Sequence, residues 1–227
     1  MNRQVIKSAS NFGNVYGHWN GFDVNVDARL KNGLFLQGGV GTGKTMSDNC
    51  DIVDDVPEAL NAAVPTGVQP TLAPAGALVP AAFCHQESPF LTNFKGLASY
   101  TLPYGFRVSG TWQSLTGPLI AANQIYANAG AGLAPGTTLN RPLTFAQATV
   151  NVVAPGSLYG DRLNQIDMRF SKLVKLGAGR LDINLDIYNA LNSDAILAQS
   201  NAYGATWTRP TTVIQPRFVK FSARWDF

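Results

Sequence analysis

The residues with the most recognisable chemistry are Gly38-Gly39-Val40-Gly41-Thr42-Gly43-Lys44-Thr45. They match G-x-x-x-x-G-K-T, the pattern in which backbone N–H groups cradle phosphates, the lysine reaches the β/γ-phosphates and the hydroxyl holds Mg²⁺. Gly38, Gly43, Lys44 and Thr45 would be the nucleotide-binding residues. A phosphate loop, however, opens directly onto a helix whose N-terminus faces the anion. Here Met46-Ser47-Asp48-Asn49-Cys50-Asp51 follows, then Pro57, with no 3.6-residue periodicity. The alternative reading of the segment is a glycine-rich strand running up into a loop.

Other chemical groups are sparser. Asp48, Asp51, Asp54, Asp55 and Glu58 form an acidic cluster, but their spacing matches no calcium loop. The two histidines, His18 and His85, have no nucleophile motif beside them, so no catalytic residue and no metal ligand set is assigned. Cys50 and Cys84 lie in one long proline-rich stretch without metal-ligand spacing, and they are expected to form a disulfide in an oxidising compartment. The chain is thus read as a non-enzyme without a cofactor.

The elements that must carry these residues follow from alternation. Across Phe22–Leu30 every even position is apolar and every odd one polar. Leu181–Tyr188 sets aliphatic side chains against Asp182, Asn184 and Asp186. Val219, Phe221, Ala223, Trp225 and Phe227 alternate with Lys220, Ser222, Arg224 and Asp226. Period 2 specifies strands with one apolar face. Weaker alternation marks Leu34–Thr42, Phe94–Leu102, Phe106–Gln113 and Gln165–Phe170. About seven strands result, with the fold class all-β. Short turns at Asn32-Gly33, Pro103–Gly105 and Gly177–Gly179 alternate with long loops at about 46–90, 118–164 and 192–212. That rhythm, with about nine to eleven residues per strand, is expected of an antiparallel meander forming an open part of a transmembrane β-barrel, with short periplasmic turns and long extracellular loops. The polar strand residues, among them Asp23, Asp27, Asp167, Arg169, Asp182 and Asp186, are then expected to line the lumen. Trp19, Trp112, Trp225, Tyr104 and Phe227 are expected at the membrane interfaces.

Composition agrees with this class. Of 227 residues only 14% are charged while 45% are hydrophobic, and the formal net charge is +3. Soluble domains usually carry roughly 25% charge. No basic run tracks a phosphate backbone, so nucleic acid is not an expected partner. The apolar stretch 59–83 is broken by Pro65, Pro70, Pro74 and Pro80, so it cannot be a helix across a bilayer.

Four segments, HWNGFDVNVDARLKNGLFLQGG from His18, LYGDRLNQIDMRFSK from Leu158, LDINLDIYNALNS from Leu181 and PRFVKFSARWDF from Pro216, give the chain a resemblance to the C-terminal end of TonB-dependent outer-membrane receptors. The nearest in kind are the large receptors with a carboxypeptidase-regulatory-like domain. The resemblance implies that residues 1–227 are the C-terminal part of a receptor barrel, a fragment without plug domain or signal peptide. It implies nutrient uptake by the parent protein, a cell outer membrane location in a Gram-negative-type bacterium, and an unidentified nutrient ligand at the extracellular loops. It further implies contact with outer-membrane lipid, and with TonB only through an N-terminal part that this sequence does not contain. Val219, Phe221, Ala223, Trp225 and Phe227 would be the insertion signal read by the barrel-insertion machinery. A soluble β-sandwich binding module is the remaining alternative, since alternation alone also suits two packed sheets.

Overall fold

The computed structural model describes residues 8–31, 33–55, 80–127 and 147–227. A short 3₁₀ turn at Ala9–Asn11 leads into β1 (Tyr16–Arg29), which pairs antiparallel with β2 (Leu34–Asp48). Helix α1 (Cys50–Asp55) and the short β3 (His85–Glu87) follow, then β4 (Leu91–Thr101) and β5 (Phe106–Leu115). The next connection holds β6 (Leu119–Ile120), β7 (Asn123–Ala127), β8 (Gln147–Asn151) and β9 (Leu158–Tyr159). Two long strands, β10 (Leu163–Leu176) and β11 (Gly179–Tyr188), come next. The small hairpin strands β12 (Ile196–Gln199) and β13 (Pro210–Val213) precede the terminal β14 (Phe218–Asp226).

The fold is all-β. The main sheet has the order β1-β2-β4-β5-β10-β11-β14, every neighbour antiparallel, with β3 added alongside the end of β2. Each long strand thus neighbours the next long strand in sequence. The short turns therefore gather at one end of the sheet, and the connections containing α1, β6–β9 and β12–β13 at the other. At the first turn Gly33 adopts φ +77°, where an L side chain is disfavoured and glycine is not. Its partner in the expected Asn-Gly pair, Asn32, lies outside the described residues, as does Glu58 of the acidic cluster.

Register turns alternation into two faces. One row runs Leu34–Tyr100–Val108–Phe170–Leu185–Phe221 across six strands. The next, Ala28–Leu36–Ala98–Gly110–Met168–Ile187–Val219, crosses all seven without a charge. Val26–Gly38–Gly96–Trp112–Ile166 lies above it. The opposite face carries Asn25–Gly39–Lys95–Gln113–Gln165 and Ser99–Ser109–Arg169–Asp186–Lys220. The apolar face is uncovered: Val24, Val26, Phe170, Ile183 and Phe221 are all exposed, Phe221 to 77%. The buried apolar residues of the described chain are instead small or lie in the loops, among them Ile52, Val53, Ala121, Ala122 and Ala195.

Three expectations need correction. The second strand does not end at Thr42 but continues to Asp48, so the first long connection begins later than Met46. The connections are not plain loops: they hold two-stranded hairpins and a helix too short to show periodicity. Trp19 lies on the polar face with Asp23 and Asn25, two and three pleats along, and not on the apolar face with Val24.

Candidate functional site

The glycine-rich segment is extended chain throughout. Residues 38–43 are paired on both sides, Gly39 opposite Asn25 and Lys95, Gly41 opposite Asp23 and Asn93, Gly43 opposite Gly21 and Leu91. Backbone N–H groups committed to two ladders leave no cradle for a phosphate. Lys44 projects away from Gly39, Gly41 and Gly43, pairs with Glu87 and sits 5.7 Å from the Phe90 ring centroid. Thr45 donates its backbone N–H to the Ser88 hydroxyl at 2.9 Å. The helix that does follow, α1, starts five residues beyond Thr45 and is held by other contacts. The phosphate-loop reading of Gly38, Gly43, Lys44 and Thr45 therefore has no geometry to support it.

Close approach explains the glycines instead. On the polar face, a Cβ at Gly39 would collide with the Asn25 carboxamide, one at Gly41 with the Asp23 carboxylate, and one at Gly43 with the Trp19 indole. A Cβ at Gly21 would meet the same ring. Three polar-face side chains of β1 thus lie flat on the backbone of β2. They border a groove of ≈ 1000 Å³ that also takes in Gln37, Lys95, Thr111, Gln113 and Asp167.

Farther along the polar face, side chains bond across the ladder. Gln113 donates to Gln165 at 2.8 Å, and Gln165 donates to Asp167 at 2.9 Å. Asp167 in turn accepts the backbone N–H of Asn189 at 2.8 Å. Asn189, 2% exposed with φ +50°, donates to the carbonyls of Ser193 and Gln215 and accepts from the Ser193 N–H. Asn192, also at positive φ, accepts the N–H of Arg217. The Asn189-Ala190-Leu191-Asn192-Ser193 sequence is therefore a clasp joining β10, the exit of β11 and the entry of β14. Asparagine suits it because a short amide tolerates the left-handed region and can satisfy neighbouring backbone.

At the loop end, Cys50 and Cys84 are joined in a disulfide across 34 positions, with Cα atoms 4.9 Å apart. Asp48 accepts the Cys50 N–H at 3.0 Å and bonds the His85 ring at 2.7 Å, and these two contacts, the backbone one foremost, hold its carboxyl below the ordinary aspartate range. Asp51 accepts from the Asn14 side-chain amide at 3.2 Å, tying the segment before β1 to α1. His18 and His85, remote in sequence, flank the same end of β2, opposite Met46 and Asp48. Both cysteines being oxidised, no thiol stands beside them.

The second and third loops form one body. Trp207 donates its indole N–H to the Ala121 carbonyl at 2.9 Å, Asn201 accepts the Ala121 N–H at 3.1 Å, and Asn123 bridges to Ala202. Burial of Ala121 and Ala122 follows from this junction.

The alternating C-terminal residues sit in one line of the apolar face: Val219 opposite Ile187, Phe221 opposite Leu185, Ala223 opposite Ile183, Trp225 opposite Leu181. Phe227 follows the end of β14 and is fully exposed. The chain matches no protein-family model and no curated protein.

Proposed function

We propose that this chain is a wall segment of an outer-membrane β-barrel of the TonB-dependent receptor kind, whose parent protein takes up a nutrient recognised at the loop end. The observation that carries the reading is the height of the uncovered apolar face. From the row Val174–Leu181–Trp225 to the row Val26–Gly38–Gly96–Trp112–Ile166 is eight residue steps along β10. At about 3.4 Å per residue and a tilt of about 35–45°, that is roughly 19–22 Å, most of the ~25 Å apolar band of such barrels. A bilayer offers the backbone no hydrogen-bond partner, so strands cross it only as a paired sheet, and the face toward lipid must be apolar.

Lys172 supports the same reading. It belongs to the apolar face by register, opposite Phe106 and Ile183. Its amine lies 3.9 Å from the Phe106 ring centroid and donates to the Tyr104 carbonyl at 2.5 Å, toward the turn end. That is how a lysine on a lipid-facing strand brings its charge to the interface. Under this reading Val219, Phe221, Ala223, Trp225 and Phe227 serve the insertion machinery, the polar face lines the lumen, and the disulfide braces an extracellular loop. A β-sandwich would need a second sheet on the apolar face, and no described element covers it.

The test is depth-dependent quenching of Trp112 and Trp225 by brominated acyl chains after reconstitution into vesicles. Both lie on the apolar face, and both should be quenched, whereas Trp19 should not. Quenching confined to Trp19, or stability of the chain in water without detergent, would defeat the proposal.

A further inference from the structure

Trp19 has no place in an interfacial aromatic girdle, because it is on the polar face. Its indole lies across Gly21 and Gly43, so one side of the ring is covered by backbone. The residue is still 52% exposed. Along the same face of β1, the Asp23 carboxylate lies on Gly41 and the Asn25 carboxamide on Gly39. An aromatic plane, an acceptor pair and an amide thus stand in line, and the first two of these groups are two pleats apart along the strand. They edge the groove described above. Among the described residues neither Asp23 nor Asn25 has a salt-bridge or hydrogen-bonding partner in this arrangement, in contrast with the Gln113–Gln165–Asp167 chain on the neighbouring strands.

The geometry points to a binding site for a neutral oligosaccharide, with Trp19 as the stacking platform and Asp23 and Asn25 as hydroxyl-binding groups. A pyranose offers one face of C–H bonds and a rim of hydroxyls. The C–H face carries partial positive charge and meets the negative face of an indole. The rim hydroxyls donate to a carboxylate and exchange donor and acceptor roles with a carboxamide. Glycines at 39, 41 and 43 are what let these groups lie flat, so that the floor is shallow and continuous. Asp23 and Asp27 on this strand disfavour an anionic chain. The site goes beyond the membrane reading and does not depend on it, because the row occupies the polar face in either setting.

The experiment is calorimetric titration of the full chain, in a detergent without a sugar head group, with maltoheptaose and with cellohexaose. At least one should bind saturably, and Trp19→Ala should weaken it about tenfold or more, while Trp19→Phe keeps most of the affinity. The Asp23→Ala, Asn25→Ala double variant leaves the ring in place and should weaken binding several-fold. Trp225→Phe, on the other face, should not change it. Circular dichroism and an intact Cys50–Cys84 bridge establish that each variant is folded. Absence of binding by either probe at about 10 mM, where weak millimolar sites would fill, overturns the proposal. So does wild-type affinity in Trp19→Ala or in the double variant, or tighter binding of an oligogalacturonate than of the neutral probes. Failure here leaves the bromolipid result untouched, so the two readings fall separately.

Discussion

Arg169 and Asp186 face each other across β10 and β11, with the Arg169 Nε donating to Asp186 Oδ1 at 2.5 Å and a terminal nitrogen to Oδ2 at 3.0 Å. The pair is lopsided: the Asp186 side chain is 4% exposed and the Arg169 side chain 51%. Two parallel bonds from a planar fork fix the relative register of the strands as well as the charge. The two deletions should therefore differ. Arg169→Met leaves a buried carboxylate with only the opposed Lys220 to answer it, whereas Asp186→Asn leaves a cation that reaches water. We expect about 2–3 kcal/mol of destabilisation for Arg169→Met, below the 3–5 of a fully buried pair, and less for Asp186→Asn. Urea titration of the reconstituted chain measures both, and equal losses would contradict the asymmetry.

Leu185 is the sharpest probe of the apolar face. It lies in the row from Leu34 to Phe221, and its partner Phe170 is four residues from both Val174 and Ile166, midway up the apolar face of β10. Leu185→Arg should cost about 2–4 kcal/mol in lipid if that row is near the bilayer midplane. The same change at Asn184, on the other face, should be tolerated. Folding yields in vesicles of the two variants provide the comparison, and a neutral Leu185→Arg would mean that this face does not meet hydrocarbon.

Removing the Cys50–Cys84 bridge should act locally. Closing a loop of 34 positions removes entropy worth about 3–4 kcal/mol in the chain-entropy model. That stabilisation belongs to α1, β3 and the segment held by Asp51, not to the seven-stranded sheet. Cys50→Ser with Cys84→Ser should therefore speed proteolysis between β2 and β4 while the sheet's circular dichroism stays unchanged. Loss of the whole sheet signal would show that the bridge is global.

The same loop has a pH dependence of definite sign. Asp48 is the last residue of β2, beyond the apolar band, and its carboxyl is held low first by the Cys50 N–H and then by His85. A carboxylate whose folded value is depressed contributes stability that is complete above the unfolded value of about 3.9 and is lost as pH falls through the folded one. Hydrogen exchange at Cys50 and Ile52 should quicken as pH is lowered below about 4, after correction for intrinsic rates. Asp48→Asn keeps an acceptor for the Cys50 N–H and should flatten that dependence.

How legible this was in the sequence varies with the side chains. Leu181–Tyr188 and the terminal Val219–Phe227 read correctly because every position carries a side chain whose polarity reports its face. Both strands end within two residues of expectation. Alternation marks the second strand six residues short of its end because Gly41 and Gly43 have no side chain to alternate, and the same glycines complete the phosphate-loop pattern. The information was present in β1: a strand that sets Trp19, Asp23 and Asn25 on one face needs bare backbone opposite.

Position in the loops was less legible still. The hairpins β7–β8 and β12–β13 pair strands of five and four residues, too short for periodicity to rise above composition. Asn189 gave a faint signal, since asparagine directly after a strand is a residue that tolerates positive φ. Its partners, the Asp167 carboxylate and the backbone of Ser193 and Gln215, come from three segments, which no local pattern records. The cysteine pair was legible because only one pairing exists.

The two outer strands, β1 and β14, carry the last prediction. They end the order of the main sheet, and no described strand pairs with the outer edge of either. Six antiparallel steps separate them, so they run in the same direction. Joining β14 to β1 would make a parallel seam, whereas bacterial barrels close antiparallel. A second copy does not solve this while both copies keep their loops on one side of the membrane, because its β1 and β14 point the same way too. The strand that completes either edge must run from the turn end to the loop end. A complement that joins both edges in one meander must therefore supply an odd number of strands. Unpaired edge groups are tolerated poorly in lipid and tend to recruit other strands in water. Expressed by itself and folded in detergent, the chain should associate through these edges, and it should not run as a compact monomer that shifts on heating. Gel mobility with and without boiling, alongside sedimentation in a density-matched detergent, measures this. A heat-modifiable monomer would mean that the sheet closes on itself by a seam this strand order does not contain.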